Sequence, residues 1–390
     1  MTAKVEFNLV KAQQGHSRVP NLGAGSVRHP IPAFESVKIG GQTRRKCVYP
    51  HVTDNNDRWI ASWLTVCAIV IFGMILLGGV TRLTDSGLSM VEWQPIMGVI
   101  PPLNEADWLV AFAKYQQYPE FQKVNYAMDL AGFKVIFLYE YLHRVLGRLI
   151  GLLYLAPMVF FMARGMVQRP LVPKLLLLFV LGGCQGLLGW YMVKSGLVDR
   201  PDVSQYRLTA HLGLAVLVYG YMVWLILQIS SPHRQLVVKP SLQAFGLAAL
   251  VYLMILSGGF VAGTDAGYSY PTWPLMGDHL VPPSIYAEGL SSAFEQVTTI
   301  QFNHRMFAYG LVLLVAAVAF SNFRASSDLR VKWGSVALIL ALFCQVTLGV
   351  STLLTHVAVP VAAAHQGGAV VLLTAVLFFT HARLTERSRL

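Results

Sequence analysis

Eight apolar stretches, each close to or above the roughly 20 residues that a helix needs to cross a bilayer, leave this 390-residue chain little freedom. They lie near 60–80, 134–163, 172–193, 205–230, 242–263, 300–322, 332–355 and 360–382. Charged residues make up only 13% of the chain, about half the share of a soluble domain. The expected fold is an all-α membrane protein of eight transmembrane helices.

The formal charge of +11 is informative through its placement. Lys4, Lys11, Arg18, Arg28, Lys38, Arg44, Arg45 and Lys46 precede the first span. Arg164, Arg169 and Lys174 follow span two, Arg234 and Lys239 follow span four, and Arg324, Arg330 and Lys332 follow span six. Arg383, Arg387 and Arg389 close the chain. The connection 264–299 holds Asp265, Asp278, Glu288 and Glu295 and no Lys or Arg. Basic residues stay on the cytoplasmic or matrix side, so both termini are expected there, as an even number of spans requires. The charge is topological, and no nucleic-acid partner is expected.

None of the four cysteines, Cys47, Cys67, Cys184 and Cys344, forms a C-x-x-C pair, which leaves zinc and thioredoxin-type sites without support. Cys184 and Cys344 are expected to be small buried residues. The tail 1–59 is basic and lacks the apolar core of a secretory signal. Two readings stay open for it: part of a mitochondrial transit segment, or a disordered basic tail.

An internal repeat sets the architecture. Gly78-Gly79, Thr84-Asp85, Gly87, Ser89 and Trp93 match Gly258-Gly259, Thr264-Asp265, Gly267, Ser269 and Trp273. Glu140, His143 and Arg144 align with Gln301, His304 and Arg305. Cys184, Gln185 and Gly189 align with Cys344, Gln345 and Gly349, and His211 aligns with His365. Spans one to four (60–230) therefore duplicate spans five to eight (242–382). An even number of spans per unit makes the repeats parallel, and the natural unit is a four-helix bundle with its site between facing helices.

The repeat selects four of the 11 histidines. His143, His211, His304 and His365 each stand near the start of an even-numbered span, within about two helical turns of the outer interface. Two imidazoles from different helices in each half could ligate a haem iron axially; a lone one could equally be a polar residue bonded between helices. Intramembrane ionisable groups are costly and usually functional, which favours ligation for a set of four. His16, His29, His51, His233, His279, His356 and His381 need no special role.

Arg144 and Arg305 follow the first histidine of each half, and a guanidinium suits a haem propionate. Arg82 and Arg207 are further candidates, with headgroup contact as the alternative for each. Glu140 stands three positions before His143 and shares its helix face; Gln301 replaces it in the second half. A carboxylate can move protons where an amide cannot, so chemistry is expected in the first half and a permanent electron-transfer cofactor in the second. A structural ion pair with a neighbour such as Arg148 is the competing reading. The paired glycines, with Gly186 and Gly189, fit close helix packing. The Thr-Asp-x-Gly turns shape outer loops, and Trp93 and Trp273 suit the interface. Trp108–Tyr118 could form an interfacial helix over the first site.

At these residues the chain resembles the haem A synthase family. The motifs GGVTRLTDSGLSMVEW, EYLHRVLGRLIGL, QGLLGWYMVKSGL, VSQYRLTAHLGLA, GGFVAGTDAG, QFNHR and AAAHQGG carry the likeness, which runs from about residue 60 to the end. The wording is similar to the mitochondrial and alphaproteobacterial branch, which lacks a cysteine pair in the first outer loop; none occurs between 81 and 132. The resemblance implies oxidation of the ring D methyl group of haem O to a formyl group, giving haem A for cytochrome c oxidase. It implies a resident haem b between His304 and His365, haem O between His143 and His211, and Glu140 as the catalytic acid. Two hydroxylations to a geminal diol and loss of water are the usual description. It also implies haem O synthase and a ferredoxin-like electron donor as partners, and it leaves a homo-oligomer open. The implied place is the mitochondrial inner membrane, or otherwise a bacterial plasma membrane. The competing functions are a dihaem b-type electron carrier, which predicts equivalent halves, and a repeat-built transporter, which predicts broken helices at the midplane.

Overall fold

The computed structural model describes residues 33–39, 42–48, 55–92, 100–197, 201–231 and 242–386. Trp93, most of the basic tail (Lys4, Lys11, Arg18 and Arg28 with it), Arg234, Lys239, Arg387 and Arg389 lie outside the described residues.

A helix satisfies its own backbone polar groups, which is what hydrocarbon demands of a single crossing segment. All eight apolar stretches are helices: α1 (Asn55–Leu83), α4 (Leu130–Ala163), α5 (Val172–Lys194), α6 (Gln205–Ile229), α7 (Leu242–Gly263), α9 (Val297–Ala325), α10 (Leu329–Leu354) and α11 (Val359–Leu384). The shorter α2 (Glu105–Tyr115), α3 (Pro119–Lys123) and α8 (Ser292–Glu295) lie in the two long connections, 84–129 and 264–296. The end of the bundle that carries these connections is called the loop end below.

Each half closes into a ring. In the first, α1 packs on α4, α4 on α5, α5 on α6, and α6 back on α1. In the second, α7, α9, α10 and α11 repeat that order. The first and last helices of each repeat also join the halves, α6 against α7 and α11 and α1 against α11. One apolar core runs through this central layer, with Leu64, Val216, Met222, Val251 and Val376 fully buried or nearly so.

One departure from the expected boundaries, four residues at its start, is at α4. It starts at Leu130, with the Asp129 side chain accepting from Gly132 N at 2.8 Å. That capping contact satisfies one of the free amides at a helix start. The early start has a packing reason too. Phe133, Ile136 and Phe137 are buried with Tyr115 against α2 and α3, and the Trp108 ring meets Phe137 edge-on at 5.0 Å. The expected helix near Trp108 is thus present as α2, seated on the loop end of α4.

The N-terminal segment, a unit by itself, contains a hairpin. β1 (Ala33–Ile39) pairs antiparallel with β2 (Gln42–Val48) in the register Phe34↔Cys47 and Ile39↔Gln42. The basic tail thus includes regular structure that its composition does not announce.

Candidate functional site

Each of the four repeat histidines is seated against a glycine of the preceding helix in its ring. A Cβ built on Gly78 of α1 would lie 2.9 Å from His143 Cε1, and one on Gly189 of α5 would lie 2.8 Å from His211 Cε1. In the second half Gly349 of α10 stands in the same relation to His365 at 2.8 Å, and Gly258 of α7 to His304 at a looser 3.5 Å. Only glycine lets an imidazole lie flat on a neighbouring backbone at the tighter spacing, so these glycines set where the rings point. One turn further along, at position i+4 on the same face, the residue is Gly147, Ala215, Ala308 or Ala369. A small residue there leaves room beside each ring. This histidine-plus-small-residue signal is present in the sequence, and the expectations above did not use it.

Depth is shared less evenly than expected. His211, His304 and His365 come six or seven positions after their helix starts, whereas His143 comes thirteen positions after Leu130. The added turns of α4 belong to the aromatic cluster, so the first site lies beneath a thicker roof.

The two imidazoles of each half lie within electrostatic range of one another. Gln185 Nε2 is 3.1 Å from His211 Nδ1 and donates to His211 O at 3.0 Å, and Ser257 Oγ is 3.1 Å from His304 Nδ1. Such contacts orient a ligating ring through its second nitrogen. The Nδ1 atoms of His143 and His365 are buried without a hydrogen-bond partner. Among the described residues no three of His, Cys, Asp and Glu gather as a metal cluster. Two imidazoles per bundle, on different helices, are a donor set for an iron whose other positions a macrocycle fills. The residues present fit a haem in each half.

Glu140 is buried and forms an ion pair with a nearby arginine, as the competing sequence reading allowed, the partner being Arg144. Its second oxygen accepts from Ser89 Oγ at 2.7 Å and from Met90 N at 2.6 Å. Arg144 donates in turn to Met90 O at 2.8 Å and Glu92 O at 3.1 Å. The segment after α1 is therefore latched onto α4, directly above His143. Gln301 occupies the matching place, but its Nε2 points at the carbonyls of Gly267 and Tyr270, at 3.4 and 3.2 Å. Arg305 donates to Tyr270 O at 2.7 Å, Thr272 O at 2.9 Å and Leu275 O at 3.2 Å. The first loop presents donors to a carboxylate, and the second presents acceptors to an amide.

The arginines read as propionate candidates all carry protein partners. Arg144 and Arg305 hold loops, as described. Arg82 bridges Asp85 and Asp265 at 2.8 Å each, linking the two Thr-Asp-x-Gly turns across the halves. Both aspartates are left-handed (φ 48° and 54°), which Asp tolerates better than most residues. Thr84 and Thr264 close the preceding helix ends by donating to Val80 O and Phe260 O at 2.8 Å. Arg207 donates to Tyr191 O at 2.9 Å and stacks on the Tyr191 ring at 3.8 Å. A propionate at any of these four must share or replace such contacts.

Other expectations need correction. Cys184 and Cys344 are exposed on α5 and α10, not buried, because the faces of those helices turned to the ring interior are used by Gln185, Gly189 and Gly349. A Cβ on Gly186 would meet nothing within 4 Å, so that residue does not serve close packing. Gly79 does: Gln366, next to His365, reaches across it to donate to Ile75 O at 2.8 Å. His381 is 1% exposed, packed edge-on to Trp224. Sequence reasoning also passed over Glu120. It is buried in the α2–α3 roof beside Tyr115, and burial pushes its carboxyl up to about 8.

Comparison with known proteins agrees with this architecture. The family model for COX15-CtaA, described as cytochrome oxidase assembly protein, matches residues 61–377. A protein named Heme A synthase from Nitrosospira multiformis is 48% identical, over 85% of this chain and 96% of the relative. One of the same name from Paramagnetospirillum magneticum is 48% identical over 83% of this chain and 93% of its own. Heme A synthase COX15 of Bos taurus is 43% identical over 83% of this chain and 81% of its own length. A match across all eight spans and every histidine seat places this chain in the COX15-CtaA family of cytochrome oxidase assembly proteins.

Proposed function

We propose that this chain is a haem A synthase, an oxidoreductase that converts the ring D methyl group of haem O to the formyl group of haem A for cytochrome c oxidase. The observation that carries this is the combination of two equivalent histidine seats with unequal surroundings. His304 and His365 hold a haem b, which when bound supplies one-electron transfer. His143 and His211 receive haem O as substrate, under a roof that excludes water from the loop end. A dry site strengthens the electrostatic effect of every charge inside it.

Among the described residues, Glu140 is the one buried carboxylate on the helix that carries His143. Held by Arg144, Ser89 and Met90, it keeps one geometry, and it can take a proton released as the methyl group is oxidised. General acid–base groups of this kind contribute about 10²–10⁴-fold. The bias of Lys and Arg toward the end opposite the long connections supports both termini on the matrix or cytoplasmic side. Bacterial and bovine relatives support a bacterial plasma membrane or a mitochondrial inner membrane as the site of action. Haem O synthase would deliver the substrate and a ferredoxin-like donor the electrons.

The near identity of the four seats also suits a dihaem b-type carrier, and one experiment separates the two. Haems are extracted from the purified chain, made in cells that supply haem O, and resolved by chromatography. Haem B together with haem O, haem A or a hydroxylated intermediate is the expected result. Haem B alone, in two equivalents, would replace the synthase with a carrier.

A further inference from the structure

At the loop end of the first half, a cleft of about 210 Å³ opens between the segment after α1 and the end of α5. Met90, Val91, Trp190 and Val193 make its walls apolar, while Arg144 and Lys194 bring two cations to it. Arg144, Gly147 and Gly151 follow one another on α4 at spacings of three and four residues, which is one helix face. Gly183, Gly186 and Trp190 do the same on α5. A Cβ on Gly151, Gly183 or Gly186 would meet nothing within 4 Å. Below the cleft, Gly151, Gly183 and Gly186 are exposed and add no side chain along α4 and α5. Gly147, one turn from His143, lies toward α1, where a Cβ on it would stand 3.4 Å from Met74 Cε, and the buried His143 Nδ1 has no hydrogen-bond partner.

The second half lacks this feature at each matching position. Gly147 and Gly151 become Ala308 and Val312, and Gly183 and Gly186 become Phe343 and Val346. The helices follow suit: α9 and α10 pack along much of their length, whereas α4 and α5 touch only briefly. The duplication kept the histidine seats and changed the seam.

We propose that the α4–α5 seam is a lateral opening of the first bundle, in which the isoprenoid chain of haem O lies and reaches the lipid. This rests on the reading of the first bundle as the haem O site. The chemistry of the seam matches the ligand. Haem O is amphiphilic, with two carboxylates at one edge of the ring and a long apolar chain on it; the seam has Lys194 and the Glu140-paired Arg144 at its loop end and glycines without side chains below. A resident haem without such a chain needs no opening, and the more closely packed α9–α10 pair retains it.

The test exchanges the seams in the full chain, reconstituted in lipid nanodiscs and titrated with haem O while the Soret band is followed. Gly183→Phe with Gly186→Val is expected to keep the resident haem spectrum, which reports correct folding, and to weaken haem O uptake at least tenfold. The reverse pair, Phe343→Gly with Val346→Gly, is expected to loosen the resident haem and let haem O exchange into the second half. Haem O uptake within twofold of the parent in the first variant, with no exchange in the second, overturns the opening. A parent chain that takes up no haem O at all overturns the assignment of the first bundle instead, and the inference falls with it.

Discussion

The two halves of this protein share a ligand seat and differ in nearly everything around it. In both, an imidazole lies on a glycine backbone with a small residue one turn away, and an arginine beside the first histidine grips loop carbonyls. Over the first seat, an aromatic roof of α2, α3 and the extended α4 closes the loop end. Over the second there are short turns and the four-residue α8, tied back to α6 through Gln205 and Glu295 at 3.0 Å. The comparison teaches that duplication preserved the part with the strictest geometry, where a Cβ would strike a ring. Divergence went to loops and seams, which decide what enters and what stays. Glu140 and Gln301 show how fine this divergence is. Each matches the polarity of its own loop, so the carboxylate is at once the proposed proton acceptor and the latch of the roof.

The comparison breaks most sharply at the histidines. His304→Ala or His365→Ala should abolish the resident low-spin haem spectrum, while His143→Ala or His211→Ala should leave it in place. A resident signal that survives the first pair and vanishes with the second would reverse the roles of the halves. Exchanging the polar residues is the next largest effect. Glu140→Gln should retain haem b and reduce formyl production by about 10²-fold or more, measured as haem A per resident haem. Gln301→Glu would aim a buried carboxylate at two carbonyls, a loss of about 1–3 kcal/mol, read as easier thermal release of haem b. Equal haem A yield from Glu140→Gln and parent would leave Glu140 as a latch only.

Glycine seats grade the next prediction. Gly349→Ala places a Cβ 2.8 Å from His365 and should cost about 1–3 kcal/mol through overpacking, with a shifted resident spectrum. Gly258→Ala meets His304 at an ordinary 3.5 Å and should be tolerated. Matching outcomes for the two would mean that the seats are not set by contact with the glycine.

Glu120 tests the roof, which the second half lacks. Its carboxyl is raised by burial from 4.5 to about 8, near Tyr115, Glu140, Asp85 and Asp202. A raised pKa stabilises the folded form below the unfolded value and loses that contribution as pH rises toward the folded one. Amide exchange in α2, corrected for intrinsic rates, should therefore quicken between about pH 5 and 8 in the parent and level off above. In Glu120→Gln it should stay flat. The smallest effect belongs to Arg82→Ala, which removes an exposed bridge between halves worth about 0.2–1 kcal/mol. Its melting temperature should fall slightly, with the resident haem potential unmoved; a shifted potential would return Arg82 to a propionate.

Much of this protein was legible before any coordinates. Eight spans, parallel repeats and the four histidines follow from patterns that act locally or recur in register. The protein partners of the arginines were not legible, because a guanidinium near a helix end looks the same whether it faces a carboxylate, a ring or a carbonyl. Arg82 finds Asp265, 183 positions away, and nothing in the spacing announces it. Cys184 and Cys344 failed for a related reason, since an apolar span does not reveal which face its neighbours cover. The sequence by itself determined the elements and their duplication, because hydrocarbon solvent accepts helices alone and a repeated motif must repeat its fold. Only the tertiary structure decided which glycine seats which histidine, which loop each polar residue latches, and which seam stays open. Those depend on distances between helices far apart in the chain, and packing sets them.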